Sequence, residues 1–336
     1  MIRRIKTIDA HAAGEPLRLI VDGFPSPPGR TMAEKRDWVQ QTQDELRSAL
    51  LGEPRGHTDM YGAVLTEPTS PGSHAGVLFM HNDGYSTMCG HGVIAVTTIA
   101  LERGLLLPGG DGRSIVYDTV AGAVRVSADV EGLGRPDCRV ARVSFLNVAS
   151  FVLRGGLPIK VGPREVRVDV AFGGAFYAIV DAEAVGLPLD AAHLPELRRV
   201  GLEIKRAVDH AHTAVHPLDP DLRGVYGTIF TGPPNDRRAD LRNVTVFADA
   251  QVDRSPCGTG TAAVMAVLDA MGLLAEDRPF VHESLIGTLF SGTVSGRAQA
   301  GEYSTIVPAI SGSAWITGEH TFLLDDDDPL QRGFRL

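Results

Sequence analysis

Two cysteines in this 336-residue chain head segments that read as copies of one another. Cys89-Gly90-His91-Gly92-Val93-Ile94-Ala95-Val96 runs on to Gly104-Leu105-Leu106, and Cys257-Gly258-Thr259-Gly260-Thr261-Ala262-Ala263-Val264 runs on to Gly272-Leu273-Leu274. The two align without a gap at an offset of 168 residues (257 − 89), half the chain length. They share Cys, Gly, Gly, Ala, Val, Gly, Leu and Leu, and upstream Phe79 and Phe247 fall into the same register. A duplicated chain that keeps one thiol per copy points to two thiols facing each other across a pseudo-twofold axis. Two opposed thiols suit a reaction in which one group removes a proton and another returns it on the opposite face.

A cysteine followed by Gly-x-Gly at the start of a helix sits among backbone N–H groups that have no partner inside the helix. Those donors and the helix dipole favour negative charge, so they lower a thiol's pKa or bind a carboxylate. Two such turns around one cavity would grip a small carboxylate and present a sulfur to each face of its α-carbon. Donors aimed at the carboxylate would stabilise the enolate-like dianion that forms as the α-proton leaves. Glycine permits that close approach. One sulfur would be thiolate while the other is thiol, so the pair would titrate as a unit. His91 would reach the substrate amine or the neighbouring thiol, or serve as a structural histidine. Asp253, four residues before Cys257, would receive a substrate ammonium or belong to the turn before Ser255-Pro256.

Other chemistries fit less well. Gly258-Thr259-Gly260-Thr261 suggests a phosphate loop, but no Lys-Ser/Thr follows. Cys89 and His91 suggest a Cys–His hydrolase, but an i, i+2 pair in a turn seldom aligns as nucleophile and base, and Cys257 is left unexplained. His210, His212 and His216 match no strong ligand spacing, so no metal is expected. The 53–57 segment, Glu53-Pro54-Arg55-Gly56-His57, is dense in functional groups yet reads equally as a structural turn. Cys138 follows Pro136-Asp137, has no repeat partner and reads as an incidental thiol.

The formal charge of −9 and the lack of a dense Lys/Arg run argue against a nucleic-acid partner. An anionic substrate would therefore rely on local donors. No stretch approaches the roughly 20 apolar residues of a membrane span, and the basic start lacks the apolar run of a signal peptide. Three cysteines make no disulfide scaffold. The expected location is cytoplasmic and thiol-reducing, with no membrane partner.

The elements that must position these residues follow from periodicity. Residues 1–24 alternate like strands around the turn-like His11-Ala12-Ala13-Gly14-Glu15-Pro16, and 31–51 carry a helical pattern. Strands are expected at 62–65, 75–80, 114–117, 120–124, 123–128, 139–145, 166–171, 176–180, 243–248 and 285–289. Helices are expected at 89–101, 191–199, 202–211 and 260–271, and the acidic tail 324–330 reads as a solvated end. The picture is α/β (α+β): two halves, each with a largely antiparallel sheet around a buried helix that starts at its cysteine. The first half would span 1–130, with a last strand near the C-terminus able to join it, and the second 131–336, with the active site between them.

Met88-Cys89-Gly90-His91-Gly92 and Asp253-Arg254-Ser255-Pro256-Cys257-Gly258-Thr259-Gly260-Thr261 resemble the two signature motifs of the proline racemase family. His11-x-x-Gly14-Glu15-Pro16 and Glu53-Pro54-Arg55-Gly56-His57 also match, so the resemblance covers essentially the whole chain. It implies a diaminopimelate-epimerase-like fold of two pseudo-symmetric halves, catalysis without a cofactor, and Cys89 and Cys257 as the acid/base groups. It also implies that the backbone of Gly90, His91, Gly258 and Thr259 holds the substrate carboxylate, and that Asp253 and His91 hold the ring nitrogen. The substrate class would be a proline-type imino acid, and a homodimer is compatible with it. Both cysteines are present, as in proline racemases and hydroxyproline 2-epimerases. Yet His57-Thr58-Asp59-Met60-Tyr61-Gly62, His81-Asn82-Asp83-Gly84-Tyr85-Ser86-Thr87 and the tail Asp327-Asp328-Pro329-Leu330 followed by Gly333-Phe334 are similar to trans-3-hydroxy-L-proline dehydratases. Those typically carry Thr where this chain has Cys257. Dehydration needs one base at Cα, whereas epimerisation needs a proton donor on the other face. The resemblance therefore implies a hydroxyproline enzyme that dehydrates, epimerises at C2, or does both. Its rivals are a trans-4-hydroxy-L-proline 2-epimerase, then a proline racemase, and, in a different class, a non-enzymatic amino-acid-binding or thiol redox-switch protein.

Overall fold

The computed structural model describes residues 2–110, 114–275 and 277–335. They form two compact units, one of residues 1–145 with 312–336 and one of residues 146–311. The division falls at 145/146 rather than at the expected 130/131. Residues 131–145 belong with the first unit because they pack on the end of its buried helix. There the Val140 N–H donates to Glu102 Oε1 (3.0 Å) and the Cys138 thiol to the Leu101 carbonyl (3.7 Å).

In the first unit the strand Ile2–Ala12 lies antiparallel between Glu15–Asp22 and the C-terminal strand Ala314–Asp325. Tyr61–Thr66 adds in parallel beside Glu15–Asp22, and Ala75–His81 pairs antiparallel with it. Two helices, α1 (Met32–Thr42) and α2 (Asp44–Leu51), cover an apolar cluster of Ile5, Ile20, Val39, Leu50 and Leu78. The sequence pattern predicts one helix here. The chain breaks at Gln43 (φ −130, ψ 11), and α2 turns so that Arg47 donates to the His81 carbonyl at 2.9 Å. The third helix, α3 (Gly90–Glu102), is buried from Gly90 to Leu101, which explains why it is apolar on every side.

In the second unit α4 (Ala182–Val185) is a single turn, α5 (Leu194–Ala211) covers the sheet, and α6 (Gly258–Ala270) is buried from Gly258 to Val267. The helices expected at 191–199 and 202–211 are one continuous α5 entered by a 3-10 turn. Gly201 does not break it. That glycine faces the sheet, where an added β-carbon would lie 2.8 Å from Val246 Cβ.

Around each buried helix the same order of elements recurs. Tyr61–Thr66, Ala75–His81 and Gly84–Ser86 pair antiparallel in sequence, α3 follows, and Ser114–Thr119 returns parallel to Ala75–His81. Val225–Gly232, Leu241–Phe247 and Gln251–Asp253 do likewise, α6 follows, and Phe280–Glu283 returns parallel to Leu241–Phe247. A three-residue strand thus delivers the chain to each cysteine turn. Of the strands expected at 120–124 and 285–289, the first is turn at 120–121 and strand from Gly122 on, and the second is a hairpin turn up to Leu289. Residues 120–121 reverse the chain before Gly122–Glu131, and Gly287 (φ 79) turns it before Leu289–Ala300.

The 53–57 loop and the acidic tail are joined. Arg55 donates to Leu323 O (3.3 Å) and Gln331 O (3.2 Å) and pairs with Asp328 (3.1 Å), while Glu53 and Phe334 exchange backbone bonds. The tail is therefore anchored through Asp328 and Phe334, while Asp326, Asp327, Pro329 and Leu330 lie exposed as a solvated end would. His11 accepts the Gly14 N–H (3.2 Å) and stacks on Trp315. Among the described residues no helix is long and apolar enough to cross a membrane.

Candidate active site

Cys89 is the N-cap of α3, in extended geometry (φ −141, ψ 112), and its sulfur accepts the Gly92 N–H at 3.2 Å. Its carbonyl accepts the first intrahelical bond, from Val93 N (2.9 Å). The sulfur therefore occupies the positive end of a helix, where first-turn N–H groups lack intrahelical acceptors. Gly90 and His91 are the first two residues of that helix and both are buried. The His91 ring lies against the thiol, with Nδ1 at 3.3 Å and Nε2 at 3.5 Å from Sγ. Tyr61 meets that ring edge-on at 4.8 Å and hydrogen-bonds Ser86. His81, tilted against Tyr61, is pushed down to about 4 by burial and is neutral at pH 7.

Cys257 is the N-cap of α6, and its sulfur accepts the Gly260 N–H at 3.3 Å. Unlike Cys89, it sits at φ 64, a left-handed region that costs a non-glycine residue about 1–3 kcal/mol. Gly258 and Thr259 open the helix, and the Tyr177 hydroxyl lies 2.7 Å from Thr259 Oγ1 and 3.7 Å from the sulfur. Asp253, on Gln251–Asp253, accepts the Ser255 hydroxyl (2.6 Å) and the Ser255 N–H (2.8 Å) through Oδ1. Ser255 Oγ in turn accepts the Cys257 N–H (3.1 Å), so carboxylate and cysteine turn are tied through one hydroxyl.

Burial raises the Asp253 carboxyl to about 6, against hydrogen bonds from Ser255 and Cys257 that hold it down. At neutral pH it is mostly ionised. Burial first, and then the Asp253 charge, hold the Cys257 thiol well above the ordinary thiol range. Tyr177, fully buried beside it, is likewise kept protonated.

Of the sequence-predicted residues, the first unit brings together Cys89, Gly90 and His91, and the second brings together Asp253, Cys257, Gly258 and Thr259. His210 and His212 lie at the end of α5, while His216 packs on Phe172 (4.7 Å). Tyr61, Ser86, Tyr177 and Ser255 escape the sequence reading as site residues. Tyr177 reads there as one more inward position of an apolar strand, yet a buried phenol must find a polar partner and here finds Thr259.

Each unit thus places a cysteine at the N-terminus of a buried helix with glycines in its first turn. Residues 7–335 match the model of the proline racemase family, and the chain belongs to that family. It is 46% identical to the trans-3-hydroxy-L-proline dehydratase of Bacillus cereus, over 98% of this chain and 97% of that one. It is 37% identical to the proline racemase of Clostridioides difficile, over 99% and 98%. Among solved structures it resembles a hydroxyproline epimerase from Agrobacterium vitis with bound trans-4-hydroxy-L-proline, at TM-score 0.89 and 31% identity, covering 99% and 96%. The fold is of the α/β, diaminopimelate-epimerase-like type. The chain is an enzyme of the branch that holds hydroxyproline dehydratases and epimerases.

Proposed function

We propose that the enzyme removes the Cα proton of a hydroxyproline with a cysteine pair and without a cofactor, dehydrating trans-3-hydroxy-L-proline and epimerising hydroxyproline at C2. The observation that carries this reading is Cys257 itself. It caps α6 as Cys89 caps α3, each sulfur taking the i+3 N–H, so a second thiol is built where dehydration alone needs none.

The surroundings divide the roles. Cys89, with an imidazole at its side, is the base; Cys257, buried beside a carboxylate, keeps its proton and is the donor. The backbone of Gly90, His91, Gly258 and Thr259 binds the substrate carboxylate, and Asp253 takes the ring ammonium with His91. Cys89 takes the α-proton and the C–H electrons pass into the carboxylate as an enolate, stabilised by helix N–H donors. From that carbanion two outcomes follow. Cys257 delivers its proton to the other face, giving the C2 epimer. Alternatively the enolate electrons form a Cα=C3 double bond as the C3–O bond breaks, the leaving oxygen takes back the proton held on Cys89 and departs as water, and the enamine tautomerises to the cyclic imine.

A second reading, trans-4-hydroxy-L-proline 2-epimerase, is favoured by the bound ligand of the Agrobacterium vitis structure together with Cys257. Proton NMR in deuterated buffer on proline, trans-3- and trans-4-hydroxyproline separates these. Exchange at Cα with imine and epimer from the trans-3 substrate is expected. Epimer from the trans-4 substrate alone would select the second reading, and no exchange with any of the three would overturn both.

A further inference from the structure

We propose that Thr261, Asn243 and His282 are positioning residues for Cys257, holding the carbonyl of Pro256 and through it the direction of the cysteine sulfur. This rests on the donor role given to Cys257 above. The three residues come from separate elements: the strand Leu241–Phe247, the first turn of α6, and the strand Phe280–Glu283, which runs parallel to the first. All are buried, Thr261 and His282 completely so.

The Asn243 amide donates to Pro256 O (3.0 Å) and to His282 Nε2 (3.0 Å). Thr261 Oγ1 donates to Pro256 O (3.1 Å) and lies 2.9 Å from His282 Nδ1. One proton assignment satisfies these four contacts. Nε2 accepts from Asn243, Nδ1–H donates to Thr261, and the Thr261 hydroxyl passes its hydrogen to the Pro256 carbonyl. That needs a neutral imidazole, and burial pushes His282 down to about 3, so it stays neutral at working pH.

Thr261 acts on both peptide planes that flank Cys257. Its hydroxyl binds the carbonyl before the cysteine, and its N–H binds the cysteine's own carbonyl at 2.7 Å. Two planes tied to one residue fix the rotation between them, here the φ of 64 that a cysteine would otherwise avoid. At the 168-residue offset the Cys89 copy has Ala75, Val93 and Ser114 in place of Asn243, Thr261 and His282. Cys89 has φ −141, which an L-residue adopts freely, and two of those three side chains offer no hydrogen bond. The brace belongs to the strained turn.

The test compares the two cysteines of one protein. Rates of methylthiolation by methyl methanethiosulfonate are followed on the Cys89 and Cys257 peptides by mass spectrometry across pH, for wild type, Thr261→Val and Thr261→Ser. Thr261→Val should change the Cys257 rate by about fivefold or more and the Cys89 rate by less than about twofold, with Thr261→Ser near wild type. His282→Asn, which keeps a donor near the Nδ1 position and loses the acceptor for Asn243, should move the Cys257 rate in the same direction by a smaller factor. In turnover, Thr261→Val should lower kcat for epimerisation about tenfold and kcat for dehydration by less than about twofold. Equal change at both cysteines, no change at Cys257, or failure of serine to restore its rate would overturn the positioning role. The thiol rates need no substrate, so a wild type inert towards hydroxyproline would overturn the proposed function while these rates still decide the brace.

Discussion

The Cys89 and Cys257 turns are built on one plan and set among different neighbours. Each sulfur caps a buried helix, accepts the N–H three residues on, and would lie 2.9 Å from a β-carbon placed on that residue. Beyond this cradle they part. Cys89 lies in relaxed extended backbone against an imidazole, and Cys257 lies in strained backbone near a carboxylate, a tyrosine and a threonine. A sulfur beside an imidazole can pass a proton on, whereas one beside a buried negative charge holds its own. A repeat that keeps the cradle and changes the neighbours can thus yield a base and a donor from one motif.

The widest break in the comparison comes from removing each thiol. Cys89→Ser should abolish dehydration and epimerisation together, by about 10²–10⁴-fold in kcat, the usual worth of a positioned proton-transfer group. Cys257→Ser should cost epimerisation as much and spare dehydration to within about tenfold. Parallel loss of both reactions in Cys257→Ser, scored by NMR, would make the turns equal partners and refute the division of roles.

Asp253 sharpens the contrast from one side. Asp253→Asn removes the charge that helps raise the Cys257 thiol, so methylthiolation of Cys257 should quicken while Cys89 stays unchanged. The same variant should lose the ammonium partner and raise KM about a hundredfold. In wild type, KM should improve as pH rises through about 6, where the carboxylate ionises, and the asparagine variant should show no such step. Stability runs the other way. The folded carboxyl binds its proton up to about 6 and the unfolded one only to about 4. Its contribution is therefore fully present below pH 4 and lost as pH rises to 6, on the order of 1–3 kcal/mol. Denaturant titrations of wild type against Asp253→Asn between pH 4 and 7 measure that slope, and parallel curves would remove Asp253 as a buried titrating group.

The division between what sequence reveals and what it hides follows the repeat. Cys89, Gly90, Cys257 and Gly258 stand out because both copies need the same cradle, and repetition makes a weak motif specific. Asn243, Thr261 and His282 have no counterparts in the first copy, so nothing marks His282 as more than a lone polar residue in a short strand. Strands with one wet face, such as Gly122–Glu131, announce themselves by alternation. The reversal at Gly287 does not, because Leu285, Ile286 and Leu289 read as strand while the glycine's φ of 79 turns the chain. Gly201 misleads in the opposite sense: it reads as a helix break but makes room for Val246.

The smallest expected difference lies in the glycines three residues after each cysteine. A β-carbon on Gly92 would lie 2.9 Å from Cys89 Sγ and 2.5 Å from Cε1 of Phe79, a ring 1% exposed. On Gly260 it would lie 2.9 Å from Cys257 Sγ and 2.9 Å from Cδ1 of Ile229. Ile229 is as buried as Phe79, but the approach to it is shallower and meets the terminal methyl of a flexible side chain, whereas the phenyl ring is rigid and closer. Alanine in a helix otherwise gains about 0.5–1 kcal/mol over glycine. Overpacking of about 1–3 kcal/mol should therefore leave Gly92→Ala clearly destabilised and Gly260→Ala near neutral, as read by chemical denaturation. Both substitutions crowd a sulfur, so each should slow the reactions its own thiol serves: both reactions for Gly92→Ala, epimerisation alone for Gly260→Ala. Equal stability losses would place the two cradles on the same footing and assign the asymmetry of the site to charge alone.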